Sequence, residues 1–347
     1  MSQAGAVTTR HRFDEGALSE YLAAALPGFA GPLEVKQFHG GQSNPTYLLS
    51  TPARRYVLRS KPGPVAKLLP SAHAIEREFR AMHALRRQGF PVPEVLLLEQ
   101  DESVIGRAFF VMEHVDGRIL WDPALPDLMP AARSAVYDEM NRVIAALHAI
   151  DIDSAGLADY GKAGNYFERQ IGRWSKQYRA SETERIEAMD RLIEWLPQHL
   201  PAGDEVAVVH GDFRLDNLIF HPSEPRVIAV LDWELSTLGH PLADFSYHCM
   251  PWHIPAGGFR GIGGVDFAAL GIPTEADYVR RYCERTGRAR IDNWNFYLAY
   301  NLFRIAAILQ GVYKRATEGI ASSDNATQAG RNARALAEIG WRKAHEA

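Results

Sequence analysis

His210-Gly211-Asp212-Phe213-Arg214-Leu215-Asp216-Asn217, followed by Leu231-Asp232-Trp233-Glu234, is the stretch from which the rest of the chain is read. Asp212 and Asn217 stand five positions apart, and Asp232 follows fifteen positions later. Short apolar runs at 206–209 and 227–231 bracket the motif, which therefore lies on loops leaving short strands. A carboxylate in such a loop can orient a hydroxyl and take its proton. An amide oxygen and a second carboxylate are hard donors suited to magnesium. Moving a phosphoryl group needs little else from a protein beyond positioning and charge neutralisation. Each of the three residues alone is an ordinary turn former; the combination carries the reading. His210 and Gly211 shape the loop rather than react.

Working outward, residues 14–26 read as a short amphipathic helix, with Leu18, Tyr21, Leu22 and Leu26 on one face and Pro27-Gly28 as its stop. Runs at 33–38, 46–50 and 56–59 are β-rich and separated by Gly, Pro and Asn. Ile75, Phe79, Met82 and Leu85 then recur at helical spacing up to Gly89, and two further strands follow at 95–99 and 108–114. Strands, one helix and strands again make a small antiparallel sheet with one packed helix. After Gly117 the pattern is mostly helical, at 130–150, 166–180, 183–196, 276–286, 294–316 and 326–346. Thr274 and Asp277 begin the fourth of these as a capping box would.

The chain has 347 residues, 46% hydrophobic and 23% charged, which is long enough for two lobes of a globular protein. A formal net charge of −4 gives no basic face for nucleic acid. No apolar run approaches the roughly 18 residues of a spanning helix, so no membrane partner is expected. Cys249 and Cys283 make no disulfide framework, and residues 1–13 lack an apolar leader core. The expected compartment is cytoplasmic. A mobile tail is expected up to about Arg12.

His-Gly-Asp-x-x-x-x-Asn, with a strand ending in Asp232, resembles the aminoglycoside phosphotransferase and choline kinase families, which share the protein-kinase-like fold. The resemblance runs over about residues 30 to 316. It implies an α+β fold of two lobes: a nucleotide-binding lobe over 1–115, with the small antiparallel sheet and its helix, and a larger helical catalytic and substrate-binding lobe over 116–347. It implies ATP and Mg2+ as cofactors, Asp212 as catalytic base, and Asn217 and Asp232 as magnesium ligands. Gly40, Gly41, Ser43 and Asn44 stand where a hairpin covers the phosphates, and glycines there let backbone N–H groups approach them. Arg59 matches the strand position that usually carries lysine, with Lys61 as the alternative and Glu78 as the partner carboxylate. Glu113, His114 and Val115 match the hinge whose backbone meets adenine. Asp244 matches an aspartate that braces the catalytic loop.

Only twelve positions separate Asp232 from Asp244, which leaves no room for the activation segment that docks a peptide. A small hydroxylated substrate is expected. Lys61 to Glu78 and Asn301 to Tyr313 further resemble phosphotransferase domains fused to acyl-CoA dehydrogenases, which implies a hydroxyacyl-CoA or hydroxy acid as acceptor and a separate acyl-CoA dehydrogenase in the same pathway. From Asp244 onward there are thirteen Lys and Arg against ten Asp and Glu. A pocket for polycationic aminoglycosides should be richer in acid. Arg304, Gly311 and Arg315 share a helix face that would suit an anion, or else carry ordinary exposed charges. An aminoglycoside or choline phosphotransferase and an inactive nucleotide-binding module are the alternatives. A metal site built from His240, Asp244, His248, Cys249 and His253 fits no common zinc spacing.

Overall fold

The computed structural model describes residues 4–38, 44–62, 74–318 and 326–346. In chain order the strands are Ala4–Gly5 (β1), Glu34–Phe38 (β2), Thr46–Ser50 (β3), Arg55–Ser60 (β4), Val95–Glu99 (β5), Phe109–Glu113 (β6), Arg118–Ile119 (β7), Ala207–Val209 (β8), Leu218–Phe220 (β9), Val227–Val230 (β10) and Thr237–Gly239 (β11). The helices are Glu15–Ala25 (α1), Ile75–Arg87 (α2), Pro130–His148 (α3), Tyr166–Ser181 (α4), Glu187–Trp195 (α5), Pro241–Cys249 (α6), Phe267–Leu270 (α7), Glu275–Thr286 (α8), Trp294–Thr317 (α9) and Ala326–His345 (α10). They form two compact units. The first takes the described residues of Met1–Ile119, Asp153–Leu157 and Asp216–Ser236; the second takes those of Leu120–Ile152, Ala158–Leu215 and Thr237–Ala347.

In the first unit an antiparallel sheet runs in the order β1-β2-β3-β4-β6-β5. Alternation along β3 and β4 sends Tyr47, Leu49, Tyr56 and Leu58 inward, where Leu18 and Leu22 of α1 meet them. Burying each such side chain contributes about 1.5–3 kcal/mol. Asp14 starts α1 by accepting from the Ala17 N–H at 2.9 Å. Ile75, Met82 and Leu85 bury the inner face of α2 and place Glu78 on that same buried face. Gly89, at φ +74°, lets the chain leave the helix.

The first unit also takes in the 216–236 segment, which the resemblance assigns to the second lobe. The Val230 N–H donates to the Pro91 carbonyl at 2.8 Å, and Trp233 packs edge-on against Phe90. A second sheet, β10-β9-β7, ties this segment to residues 118–119. Gly117 makes that pairing close, since a Cβ there would meet the Ile219 side chain and the Phe220 carbonyl at 2.4 Å.

The expected N-terminal tail is not loose from Ala4 onward. β1 pairs with β2, the Thr8 N–H donates to Gln37 at 3.0 Å, and the Tyr47 hydroxyl donates to the His11 carbonyl at 3.0 Å. The expected helix over 183–196 is shorter in the structure, because Ile186 is buried in extended conformation and α5 begins only after it.

The second unit is mainly helical. β8 and β11 pair antiparallel, Val209 opposite Thr237 and Ala207 opposite Gly239, so the His210 and His240 loops leave the pair at opposite ends. α6 is buried on every face, as expected of a core helix rather than a surface one. Phe245 stacks on Tyr282 of α8 at 3.7 Å, and Asn301 of α9 donates to the Ala243 carbonyl at 2.8 Å. α10 lies along α9, with Gly330 against Tyr313 and Gly340 against Leu302. Among the described residues no helix is long and apolar enough to cross a membrane.

Candidate active site

Arg59 organises the site residues of the first unit. It leaves β4 with its side chain 14% exposed, and its guanidinium meets Glu78 of α2 at 2.9 Å, Asp232 at 2.8 Å and Glu234 at 3.2 Å. Asn44 donates to Glu78 at 2.9 Å. Burial pushes the Glu78 carboxyl up to about 7, against the pull of Arg59 and with the push of Asp232 and Glu234. Burial also works against the Arg59 charge, but those three carboxylates hold it above its ordinary range. A planar fork can hold three carboxylates; a lysine would offer one point charge. Lys61 pairs with Glu76 instead, so Arg59 is the cation that meets Glu78.

Asp232 stands two residues after β10, at the start of a 3-10 turn, with a left-handed φ of +65°. Asn217 closes a 3-10 turn and is nearly buried; its carbonyl accepts from the Leu231 N–H at 2.8 Å, tying the turn to the strand that delivers Asp232. Magnesium commonly takes one or two protein oxygens, the rest being water and phosphate. An amide oxygen and a carboxylate fit that donor set. At the end of β6, the Glu113 N–H donates to the Glu94 carbonyl at 2.9 Å, while Glu113 Oε1 accepts from the Glu94 N–H at 2.8 Å. His114 lies 3.6 Å from Asp116, and burial lowers its pKa. Val115 is half-buried. Gly40, Gly41 and Ser43 lie outside the described residues, as does most of the segment between Lys61 and Ala74.

In the second unit the loop that carries Asp212 leaves β8. Gly211 turns it at φ +81°. Asp244 of α6 accepts from the His210 N–H at 2.6 Å and the Gly211 N–H at 2.8 Å, and meets His148 Nε2 at 3.3 Å. Burial opposes its charge, yet His148 and the His210 N–H hold its carboxyl below the usual carboxylate range. Asp212 is next in the loop. Its Oδ2 meets Arg214 Nε at 3.0 Å, and its Oδ1 accepts from the Tyr247 hydroxyl. Arg304 of α9 donates to the Gly211 carbonyl at 2.7 Å. It is buried rather than exposed, because the rings of Trp174 and Tyr247 cover its guanidinium at 5.8 and 5.4 Å.

The suggested His–Asp–Cys metal cluster is divided among other tasks. His240 caps α6, His248 bonds Tyr278 at 2.6 Å, and His253 bonds Glu275 at 2.6 Å. Three contributors escaped the sequence reading. Glu234 lies inside the opening motif, two residues after Asp232, where its charge could have suggested a role. Tyr247 lies one helical turn after Asp244, and Arg214 two residues after Asp212; neither spacing says which side chain it meets.

The sequence pattern of the phosphotransferase enzyme family matches residues 34–294, most of the chain. The chain belongs to that family. A relative from Mus musculus, acyl-CoA dehydrogenase family member 10, is 52% identical over 330 residues, which are 94% of this chain and 31% of that protein. The chain thus spans about a third of that relative's length. A solved structure of a candidate aminoglycoside phosphotransferase from Ralstonia eutropha is 59% identical, with a TM-score of 0.88 over 96% of this chain and 99% of that one. The aminoglycoside phosphotransferase APH(4)-Ia, solved with ADP and hygromycin B, reaches a TM-score of 0.61 over 95% of this chain and 98% of its own at 15% identity, a likeness of fold. The family's fold is protein-kinase-like and α+β, in agreement with the antiparallel sheet and the helical second unit.

Proposed function

We propose that the chain transfers the γ-phosphoryl group of ATP, with magnesium, to the hydroxyl of a small acceptor. The observation that supports this reading is that each of Asp212, Asn217 and Asp232 is held in place within its own unit, Asp212 by Tyr247 and Arg214, Asn217 through its carbonyl on Leu231, and Asp232 by Arg59. The first unit takes the nucleotide, with Arg59 at the phosphates and the backbone of residues 113–115 at adenine. Bound magnesium would neutralise phosphate charge, with Asn217 and Asp232 as its protein ligands. The second unit takes the acceptor. Asp212 orients the acceptor hydroxyl and receives its proton as the oxygen forms its bond to the γ-phosphorus. The bond from that phosphorus to the β,γ-bridging oxygen breaks, and ADP leaves with the electron pair.

The proposed acceptor is a hydroxyacyl-CoA or a free hydroxy acid. Two features support it: the partly exposed Arg214 lies beside Asp212, and the Mus musculus relative is named for acyl-CoA dehydrogenation. A separate acyl-CoA dehydrogenase would act on the product or its derivative. The test is a phosphorylation screen over hydroxyacyl-CoA esters, free hydroxy acids, aminoglycosides and choline, followed by ADP release and phospho-product mass. Hydroxyacyl or hydroxy-acid turnover is expected. Turnover of aminoglycosides or choline alone would refute the acceptor class, and ATP binding without turnover of any acceptor would refute the transfer.

A further inference from the structure

Two helices that follow the catalytic loop in sequence reach back to it with side chains that neither bind metal nor start the reaction. Tyr247 lies on α6, one turn beyond the brace Asp244, and its hydroxyl donates to Asp212 Oδ1. Arg304 lies on α9 and donates to the carbonyl of Gly211, the residue before Asp212. The two are joined to each other, since the Arg304 guanidinium lies over the Tyr247 ring at 5.4 Å. The Trp174 ring of α4 also meets that guanidinium, at 5.8 Å. No carboxylate lies in ion-pair contact with Arg304 among the described residues, and Asp212 is the carboxylate whose charge acts on it.

We infer that Tyr247 and Arg304 form a bracket that fixes the Asp212 carboxylate for catalysis, Tyr247 directly and Arg304 through the Gly211 carbonyl and the Tyr247 ring. The inference rests on the proposed transfer reaction. Asp212 has a side chain 19% exposed at the end of a loop. Without outside help such a carboxylate samples several χ2 orientations, since that torsion is broad for aspartate. Tyr247 holds one oxygen and Arg214 the other. Each carboxylate oxygen has two lone-pair sites, so holding both still leaves capacity for an acceptor hydroxyl. Burial, followed by the Asp212 charge, pushes the Tyr247 hydroxyl well above its ordinary range, which keeps it a donor. Arg304 then fixes the Tyr247 ring from above and the loop backbone from the side. Both are positioning residues.

The test compares Tyr247→Phe, Arg304→Met and Arg304→Lys with wild type, following MgATP consumption with the acceptor panel and without acceptor. Tyr247→Phe removes one hydroxyl and keeps the ring. We expect kcat to fall about ten-fold, as for loss of one hydrogen bond to a charged group, with KM for MgATP within about two-fold and thermal midpoint nearly unchanged. Arg304→Met should lower kcat likewise, and Arg304→Lys should restore most of it by keeping a donor for the Gly211 carbonyl. A Tyr247→Phe enzyme with undiminished kcat, or one whose loss lies in KM or in folded fraction alone, overturns the bracket. A wild-type protein that consumes no MgATP overturns the functional reading, and the bracket with it; the two failures are therefore distinct.

Discussion

Arg59 shows how much one side chain decides. Its guanidinium holds a buried carboxylate on α2 and the Asp232 carboxylate just after β10, so its loss should damage folding as well as nucleotide binding. Arg59→Ala leaves Glu78 buried without its cation, a change expected to cost about 3–5 kcal/mol, read as a drop in thermal midpoint. The pH dependence has a definite sign. Because burial raises the Glu78 carboxyl to about 7, its neutral form is the one folding favours. Stability linked to it is full below its unfolded pKa and is lost as pH rises through about 7. Arg59→Ala should therefore be less destabilised at pH 5 than at pH 8, and Glu78→Gln milder than Arg59→Ala at pH 8. Equal losses at both pH values would contradict this.

At the scale of elements, α6 is the piece on which the second unit turns. It delivers Asp244 and Tyr247 to the catalytic loop and carries His248 and the capping His240 into the core. Burial lowers both histidines to about 4, so each is neutral when folded while the unfolded chain takes up protons near 6.5. The sign is opposite to that of Glu78: stability is full above 6.5 and is lost as pH falls toward 4, on the order of 3 kcal/mol for each group. Thermal unfolding between pH 7 and 5 should show this loss, and His248→Gln should flatten its slope. A His248→Gln variant with the wild-type slope over that interval would refute the neutral burial of His248.

The motif strands, most helix spans and the Thr274 cap were legible in the sequence because apolar period and capping chemistry are local. What α6 and α9 hold was not. Tyr247 meeting Asp212 and Arg304 meeting Gly211 are contacts across 35 and 93 positions, and no periodicity encodes them. Residues 4–12 misled for the opposite reason. Their composition suggests a tail, while a two-residue strand and the Thr8–Gln37 contact give them order.

For the whole molecule, the two units carry different parts of one proposed reaction. The residues proposed for nucleotide and metal lie in the first, and the proposed base with its bracket lies in the second. The 216–236 segment explains why this division was hard to read from sequence: it follows the catalytic loop directly, yet packs with the unit that holds Arg59. The central claim is that Asp212 is the base of a transfer whose nucleotide site it does not build. Nucleotide affinity and acceptor phosphorylation measured side by side on Asp212→Asn test that claim most directly. The account predicts MgATP affinity within about two-fold of wild type and turnover lower by about 10²–10⁴-fold, the usual range for loss of a general base. Wild-type turnover by Asp212→Asn, or loss of MgATP binding in step with loss of turnover, would contradict it.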